Sequence, residues 1–277
     1  YIDEEDSQCI STQEDVGPGG DTDIAIIRLP RLSNFTDFNI LGREGGVNLR
    51  YVDTPKDLGS PDLIILPGTK STINDLLYIK ENGLAGAVVS QARTGTMVMG
   101  ICGGFQMLGR GLRDENNVES NQSFTEGLGL LDTDTTFLSH KQTFQVKALM
   151  EKGPLPFYVD DILTGYEIHM GTSRSHAQPL LRIVERSGSP VEVMDGAVSP
   201  DGQVVGTYLH GLFDNDTFRL QLNNYLRRQK GRAHLEKENT LSSLASKEET
   251  YDRLAEVVRK NLRMDLIYKA LGLHKTQ

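Results

Sequence analysis

Cysteine is scarce in this chain and tryptophan is absent. The 277 residues include only two cysteines, Cys9 and Cys102. Cys9 lies in a polar N-terminal stretch and Cys102 lies in a glycine-rich apolar one, so we expect neither a structural disulfide nor a metal site built on cysteines. Such sparse usage is typical of a reducing compartment, and it predicts a cytoplasmic protein.

Long apolar runs and an excess of basic charge are also missing. No segment approaches the roughly 18 apolar residues of a membrane-spanning helix, and no signal-peptide pattern opens the chain, so we expect no membrane association. The 29 Lys and Arg residues are outnumbered by 38 Asp and Glu residues, which gives a formal net charge of −9. This balance argues against non-specific binding to nucleic acid, because such binding needs a basic face.

The first half of the chain alternates apolar runs with helical patterns. Short connections between such elements predict a parallel α/β sheet, in which functional groups gather at the carboxyl ends of the strands. The predicted strands are Asp23–Leu29, Val47–Val52, Asp62–Leu66 and a run from Thr96, and the predicted helices begin after Ser71 and cover Leu84–Arg93.

After residue 125 the pattern changes to short β-like pieces separated by turns. Helices return at Asn215–Gln229 and Lys247–Leu271. The predicted fold class is therefore α/β, with a mostly parallel central sheet flanked by helices, added β pieces and C-terminal helices.

Changes in composition predict three parts of the chain. Residues 1–22 are acidic and then glycine-rich, which is typical of a linker. Residues 23–226 form the main domain, and residues 227–277 form a mobile connection and a C-terminal helix packed on that domain. The apolar residues of this helix, Leu254, Val257 and Val258, are expected to face inward.

The most informative stretch is TMVMGICGGFQMLGRG, residues 96–111. It predicts a strand, a tight turn that carries Cys102, and a helix. Gly100 and Gly104 stand two residues before and after the cysteine, where such a turn brings the backbone close together, so the pattern is the cysteine form of a nucleophile elbow. The helix N-terminus would favour a thiolate. A small buried core cysteine and a nucleotide-binding turn are the alternatives.

A cysteine nucleophile needs a base, and His210 is the best placed of the six histidines. It follows the apolar strand VVGTYL and precedes Gly211, so a parallel sheet would bring it to the same edge as Cys102. The alternative is a hydrogen-bonded, half-buried structural histidine.

Four motifs follow one another along the chain: LPGTKST (66–72), GICGGFQMLG (100–109), GYEIHMG (165–171) and TYLHGLF (207–213). Together they resemble the glutamine amidotransferase domain of the cobyric acid synthase family, in the cobalamin branch of the class I, or triad-type, amidotransferases. The resemblance covers residues 23–273 and implies a flavodoxin-like fold. PRLSNFTDFNIL near the start and YDRLAEVVRKNLRMDLIY near the end are more similar to this family than to a,c-diamide synthases.

The resemblance implies a role for each matching residue. Cys102 would attack the side-chain carboxamide of L-glutamine, and the backbone N–H groups of Gly68 and Gly103 would hold the oxyanion. His210 would protonate the departing ammonia and then activate water to cleave the thioester. Gln106 matches the position that contacts bound glutamine. No metal is implied in this part of the chain.

One position departs from the wider class. Most class I amidotransferases carry Glu two residues after the catalytic His, and Leu212 stands there in this chain. The candidates for an orienting carboxylate are Asp37, on the loop after the first strand, and Glu167, in GYEIHMG. The alternatives are a helix cap for Asp37 and a structural polar pair of Glu167 and His169.

The resemblance also implies partners outside this chain. Family members begin with an ATP-binding synthase domain, so residues 1–22 would be its tail, and ATP and Mg are expected there because no P-loop signature occurs here. Ammonia would pass to that domain, which converts the corrinoid adenosylcobyrinic acid a,c-diamide to adenosylcobyric acid. The alternatives are a non-catalytic amidotransferase-like binding or regulatory module, and the same half-reaction serving a,c-diamide synthesis or cell-wall glutamate amidation.

Overall fold

The apolar runs of the first half form the parallel strands that the sequence predicts. The computed structural model describes residues 20–237 and 241–272, with the backbone alone for 244–247. All residues of the third and fourth strands are buried, as expected for central strands covered on both faces. These strands are β1 (Thr22–Ile27), β2 (Val47–Val52), β3 (Leu63–Leu66) and β4 (Met97–Ile101).

Helices connect these strands, and a 3₁₀ turn at Phe35–Phe38 precedes the first of them. The helices are α1 (Asn39–Arg43), α2 (Pro55–Leu58), α3 (Thr72–Glu81), α4 (Leu84–Arg93) and α5 (Gly103–Leu108). Ser71 stands at the N-cap of α3, but its hydroxyl accepts a hydrogen bond from the Asn74 side chain, at 2.8 Å, instead of from the helix backbone.

The second half supplies the predicted β pieces and C-terminal helices. The strands are β5 (Gly111–Arg113), β6 (Phe124–Glu126), β7 (Thr133–Met150), β8 (Leu163–Ser175), β9 (Leu181–Arg186), β10 (Ser189–Asp195), β11 (Ala197–Val198), β12 (Val204–Thr207) and β13 (Leu209–His210). A 3₁₀ turn at Leu212–Asp214 is followed by α6 (Asp216–Gln229), α7 (Ser243–Asn261) and α8 (Met264–Ala270).

The central sheet has the strand order β11–β12–β4–β3–β1–β2. All neighbours pair in parallel except β11 at the edge, so the expected α/β fold with a mostly parallel sheet is confirmed. The carboxyl ends of the parallel strands meet at one edge, and the segments that follow four of them carry Asp37, Gly68, Cys102 and His210.

A second, largely antiparallel sheet lies beside this edge, in the order β10–β9–β7–β5–β6. Strand β8 pairs with β7 and also with β13, where Tyr166 stands opposite His210. Because β13 follows β12 after a single residue, Tyr208, the pairing brings the middle of β8 against the carboxyl ends of the central strands.

A buried arginine joins α6 to the domain. Nε of Arg219 donates to Oε2 of Glu44 at 2.6 Å, and its Nη1 donates to the carbonyl oxygen of Phe213 at 2.7 Å. Removing one partner of such a buried pair leaves an uncompensated charge, which is strongly destabilising. The bond from Arg219 to the Phe213 carbonyl holds the 3₁₀ turn that follows His210.

The C-terminal helices correct two predictions. The continuous helix predicted over Lys247–Leu271 is two helices, α7 and α8, and α7 begins at Ser243. Leu254 and Val257, expected to face inward, are 36% and 56% exposed, and Val258 is half-buried. Helical periodicity identifies an apolar face but not what covers it.

The N-terminal prediction needs one adjustment. Strand β1 already begins at Thr22, and Asp21 forms an ion pair with Arg227 at 2.6 Å, so the last residues of the predicted linker belong to the domain. The rest of that linker, with Cys9, lies outside the described residues, as does His274. The mobility predicted for the connection after α6 stays a prediction. Among the described helices, none has the length and apolar character needed to cross a membrane.

Candidate active site

Cys102 occupies a strained turn between β4 and α5. Its φ of 53° and ψ of −109° lie in a region that residues with side chains rarely adopt. A Cβ on Gly104 would overlap the carbonyl group of Leu66, and one on Gly100 would lie 2.7 Å from the carbonyl carbon of Gly104. The two glycines therefore let the turn close against β3, as the sequence predicts.

Two neighbouring strands fix the position of the cysteine. Its backbone N–H donates to the carbonyl oxygen of Thr207 at 2.8 Å, and its Sγ lies 3.4 Å from the carbonyl oxygen of Ile168. The side chain is largely buried, with 8% of the residue exposed. The thiol thus lies between the end of β12 and the middle of β8.

His210 is anchored by a carboxylate. Oδ2 of Asp37 lies 2.6 Å from Nδ1 of His210, and Oδ1 of Asp37 accepts a hydrogen bond from the backbone N–H of Gly211 at 3.2 Å. Both side chains are buried. A carboxylate at Nδ1 fixes the tautomer and orientation of the neutral ring and stabilises the protonated ring.

The other ring nitrogen of His210 is on the side of Cys102. Nε2 is buried and has no partner at hydrogen-bond geometry among the described residues. Burial lowers the pKa of His210, but the hydrogen bond to Asp37 and the electrostatic influence of Asp37 and Cys102 outweigh burial and raise this pKa to about 10. Because Nδ1 is engaged by Asp37, Cys102 acts on the Nε2 side. The pair can exchange a proton, giving a thiolate and an imidazolium.

The ring of His210 is also held by its faces and edges. The ring of Tyr166 stacks on it, with centroids 5.0 Å apart and an interplanar angle of 14°. A Cβ on Gly68 would lie 3.2 Å from Cε1 of His210, so the loop after β3 packs against the ring at Cε1. A larger residue than glycine at this position would displace the imidazole.

Gly68, in the loop after β3, and Gly103, the first residue of α5, lie beside the cysteine. A Cβ on Gly103 would lie 2.9 Å from Cγ2 of Thr69 and 3.3 Å from its backbone nitrogen. Within the described part of the chain, neither glycine N–H donates a hydrogen bond to another protein group. Both donors are therefore free to bind a ligand oxygen.

Gln106 is engaged by the protein itself. Its Oε1 accepts a hydrogen bond from the Thr72 hydroxyl at 3.0 Å, and its Nε2 donates to the carbonyl oxygen of Met170 and to the Tyr208 hydroxyl, both at 3.1 Å. In this structure Gln106 joins α5 to α3 and β8. Both Nε2 hydrogens are therefore used within the protein, so donation to a bound glutamine would require one of these bonds to be exchanged, whereas Oε1 keeps a second lone pair that can accept a hydrogen bond.

Glu167 does not reach His210. Its two carboxylate oxygens accept hydrogen bonds from Nε and Nη2 of Arg186, at 2.8 and 2.9 Å. Side chains alternate along a strand, so Glu167 points away from the face of β8 that carries Tyr166. Glu167 is thus a structural residue, although its partner is Arg186 and not the expected His169, and Asp37 is the carboxylate beside the ring.

Three contributors to the site are missed by sequence reasoning: the Ile168 carbonyl, Tyr166 and Asn34. Asn34 lies in PRLSNFTDFNIL, and its Nδ2 donates a hydrogen bond to the Tyr166 hydroxyl at 2.6 Å. Tyr166 and Ile168 lie in GYEIHMG, and strand alternation could have placed their side chains on one face of β8. His169 points the other way, stacking on Tyr208 with ring centroids 3.9 Å apart. Burial lowers the pKa of His169, and its Nδ1 lies 3.1 Å from the carbonyl oxygen of Gly171.

The sequence is similar to a known domain family and to curated proteins. A profile of the CobB/CobQ-like glutamine amidotransferase domain matches residues 23–218. Over 277 residues the chain is 45% identical to the cobyric acid synthase of Desulforamulus reducens, covering 98% of this chain and 53% of that protein. Over 280 residues it is 46% identical to the cobyric acid synthase of Pelotomaculum thermopropionicum, covering 97% and 52%. The chain thus spans about half the length of these curated relatives.

Among solved structures, the fold is similar to that of PurLQS from Thermotoga maritima. The TM-score is 0.50 at 22% identity, and the match covers 68% of this chain and 87% of that one. At this identity the similarity supports the fold alone.

Proposed function

Because the chain belongs to the CobB/CobQ-like glutamine amidotransferase family, we propose that it hydrolyses L-glutamine through a thioester on Cys102. The observation that carries the proposal is the juxtaposition of Asp37, His210 and Cys102 at the carboxyl ends of parallel strands. Asp37 holds Nδ1 of the imidazole at 2.6 Å, and Cys102 stands on a strained turn on the Nε2 side.

The reaction proceeds in two halves. The Cys102 thiolate attacks the side-chain carboxamide carbon of glutamine, and the N–H groups of Gly68 and Gly103 hold the oxygen that becomes negative. His210 delivers the proton that lets ammonia leave, which yields the glutamyl thioester. His210 then takes a proton from water, the hydroxide displaces Cys102, and glutamate is released.

The electrostatics of His210 suit these steps. A pKa raised to about 10 by Asp37 and Cys102 keeps the imidazole protonated at neutral pH, so the acid that protonates the departing ammonia is present before substrate binds. Once the thioester forms, the thiolate charge is gone. The ring then loses one cause of its raised pKa, so a larger share of it is neutral and able to accept the proton from water.

We extend the proposal to a longer polypeptide in which this chain supplies ammonia. The names of its relatives and the chain's coverage of about half their length support a second half that binds ATP and Mg and holds the acceptor. That acceptor is a corrinoid carboxylate, and the product expected from adenosylcobyrinic acid a,c-diamide is adenosylcobyric acid. A different acceptor, as in a,c-diamide synthesis or cell-wall glutamate amidation, is the alternative that an acceptor assay distinguishes.

The non-catalytic binding module is the less favoured reading. Its support from the sequence is Leu212, which stands where a Glu would orient the histidine. Leu212 is buried in the core, and Asp37 supplies a carboxylate to the same ring from the loop after β1. The absence of Glu at that position therefore does not argue against catalysis.

The test uses the full polypeptide, meaning this chain together with the proposed ATP-binding half. It is mass spectrometry after treatment with diazo-oxo-norleucine, an electrophilic glutamine analogue. We expect one adduct on Cys102, suppressed by excess glutamine and absent from Cys102→Ala, while Cys9 serves as the internal control thiol. Turnover of glutamine to glutamate should be lost in the same variant. Absence of an adduct on Cys102 in the folded polypeptide with ATP present would overturn the glutaminase proposal and favour the binding module.

A further inference from the structure

A tyrosine lies flat on the imidazole of His210. Tyr166 and His210 face each other across the β8–β13 pairing, and their rings are 14° from parallel with centroids 5.0 Å apart. Tyr166 is half-buried, and it is not one of the residues to which the glutaminase chemistry assigns a step. It nonetheless stacks on one face of the ring that must transfer the proton.

The same tyrosine is tied to the turn that carries Asp37. Nδ2 of Asn34 donates a hydrogen bond to the Tyr166 hydroxyl at 2.6 Å, and the carbonyl oxygen of Asn34 accepts one from the backbone N–H of Asp37 at 3.0 Å. Asn34 has a left-handed backbone, with φ 54° and ψ 36°, which Asn tolerates better than most residues. One short turn therefore presents both the amide that holds Tyr166 and the carboxylate that holds His210.

We propose that Tyr166, fixed by Asn34, is a positioning residue for His210 in glutamine hydrolysis, an inference that rests on the proposed function. The bond from Asp37 fixes Nδ1 but leaves the ring able to tilt about that anchor, and a tilt swings Nε2 away from Cys102. The flat contact with Tyr166 blocks this tilt. A displacement of about 1 Å at a reacting group can cost about 100-fold in rate.

The stack is compatible with a charged imidazole. Burial, together with the charge of Asp37, raises the pKa of Tyr166 to about 12, so the phenol stays neutral and adds no charge of its own. A neutral aromatic face is also favourable beside a cation. Tyr166 thus restrains the ring without competing with Asp37 for its proton.

Three variants distinguish the contribution of the stacked Tyr166 ring from that of its hydrogen bond with Asn34. Tyr166→Leu removes the stack, Tyr166→Phe keeps the stack but loses the hydroxyl, and Asn34→Gly removes the amide while keeping a residue that accepts the left-handed backbone. In the full polypeptide we expect Tyr166→Leu to lower kcat for glutamine hydrolysis by about 10- to 100-fold, with KM changed by less than about threefold. Tyr166→Phe should restore most of this loss.

The two milder variants break the same hydrogen bond. Tyr166→Phe and Asn34→Gly should therefore each lower kcat by about two- to tenfold. The double variant should have a kcat no lower than that of the more impaired single variant, because both changes remove the same bond. Additive losses, or no loss in either, would overturn the part assigned to Asn34. Tyr251→Leu is the matched control, because Tyr251 is 65% exposed on α7.

A second readout does not depend on glutamine. The rate at which iodoacetamide alkylates Cys102, followed across pH, reports the cysteine–imidazole pair directly. We expect Tyr166→Leu to shift this profile toward that of His210→Asn, and Tyr166→Phe to keep the parent profile, with thermal unfolding showing that each variant is folded. An unchanged profile in folded Tyr166→Leu would overturn the inference. A shifted profile in a polypeptide that does not hydrolyse glutamine would uphold the positioning role while the proposed function fails.

Discussion

Oδ2 of Asp37 lies 2.6 Å from Nδ1 of His210, although the two residues are 173 positions apart in the chain. The other oxygen of the same carboxylate accepts the backbone N–H of Gly211, so the carboxylate is fixed at both ends. Both groups are buried, where an electrostatic contact is stronger than in water. The imidazole therefore cannot rotate about its Cβ–Cγ bond without breaking a buried, charge-assisted contact with Asp37.

Asp37→Asn should abolish most glutamine hydrolysis while leaving the shape of the site intact. The amide can donate to Nδ1 and so favours the tautomer with the proton on Nε2, which cannot accept the cysteine proton. By analogy with other triads we expect kcat/KM to fall about 100-fold or more. Steady-state assays of glutamate release check this. Asp53→Asn is the control, since Asp53 is an exposed carboxylate paired with Arg28 at 3.2 Å. If kcat/KM of Asp37→Asn fell by less than about threefold, Asp37 would not be the carboxylate that orients His210.

Glu167→Gln should act on stability and not on the chemical step. The carboxylate is buried against Arg186, and removing one partner leaves the other unpaired, which we expect to cost about 3 kcal/mol in the free energy of unfolding. Because Glu167 points away from the imidazole, kcat of the folded fraction should stay near that of the parent. Urea unfolding and steady-state assays measure the two effects. A loss of kcat as large as that of Asp37→Asn would restore Glu167 as an orienting group.

The stability contributed by His210 should fall as pH rises. Its folded-state pKa is about 10, above the ordinary 6.5, so the native state binds the proton more tightly than the unfolded state does. The contribution is complete below about pH 6.5 and is lost as pH rises toward about 10, at about 1.4 kcal/mol for each unit of pKa difference.

The measurement for this pH dependence is the free energy of unfolding of the parent and of His210→Asn at several pH values. Their difference should shrink across that range. In a Cys102→Ala background this difference should be lost over a narrower pH range, because one cause of the raised pKa of His210 is gone. A difference that is constant or grows with pH would contradict the raised pKa of His210.

The parts of the fold that local signals encode could be predicted from the sequence. Continuous apolar runs indicate β3 and β4, and the spacing of Gly100 and Gly104 around Cys102 indicates the strained turn, because sterics alone demand small residues there. His210 could be placed at the same edge because parallel topology brings strand ends together. These inferences needed no knowledge of distant contacts.

The contacts that the sequence did not predict depend on which face of a strand or helix packs against which neighbouring element. The choice between Asp37 and Glu167 depended on β8 pairing with β13, and GYEIHMG alone does not reveal that register. The engagement of Gln106 by Thr72 and Tyr208 likewise depends on three elements meeting. Propensity and periodicity carry no information about such long-range partners.

Gly104→Ala should prevent the cysteine turn from closing. A Cβ there would overlap the carbonyl group of Leu66, and backbone cannot move aside as a flexible side chain can. We expect a loss of at least about 2 kcal/mol in the free energy of unfolding and no labelling of Cys102 by a glutamine analogue. Gly86→Ala is the matched control on α4, where nothing lies within 4 Å of the added Cβ, and it should stabilise by about 0.5–1 kcal/mol. Equal behaviour of the two variants would contradict the packing described for the turn.

Val257→Glu should leave the stability of this chain almost unchanged, in contrast to the inward orientation that its helical pattern predicts. Val257 is 56% exposed on α7, so a charge there stays in water and should cost no more than about 0.5 kcal/mol. Val88→Glu is the matched variant, because Val88 on α4 is fully buried and a charge there should cost more than about 3 kcal/mol or prevent folding. Urea unfolding of both variants makes the comparison. If Val257→Glu destabilised the chain as much as Val88→Glu, α7 would have to pack its apolar face on the domain, and the inward orientation would be restored.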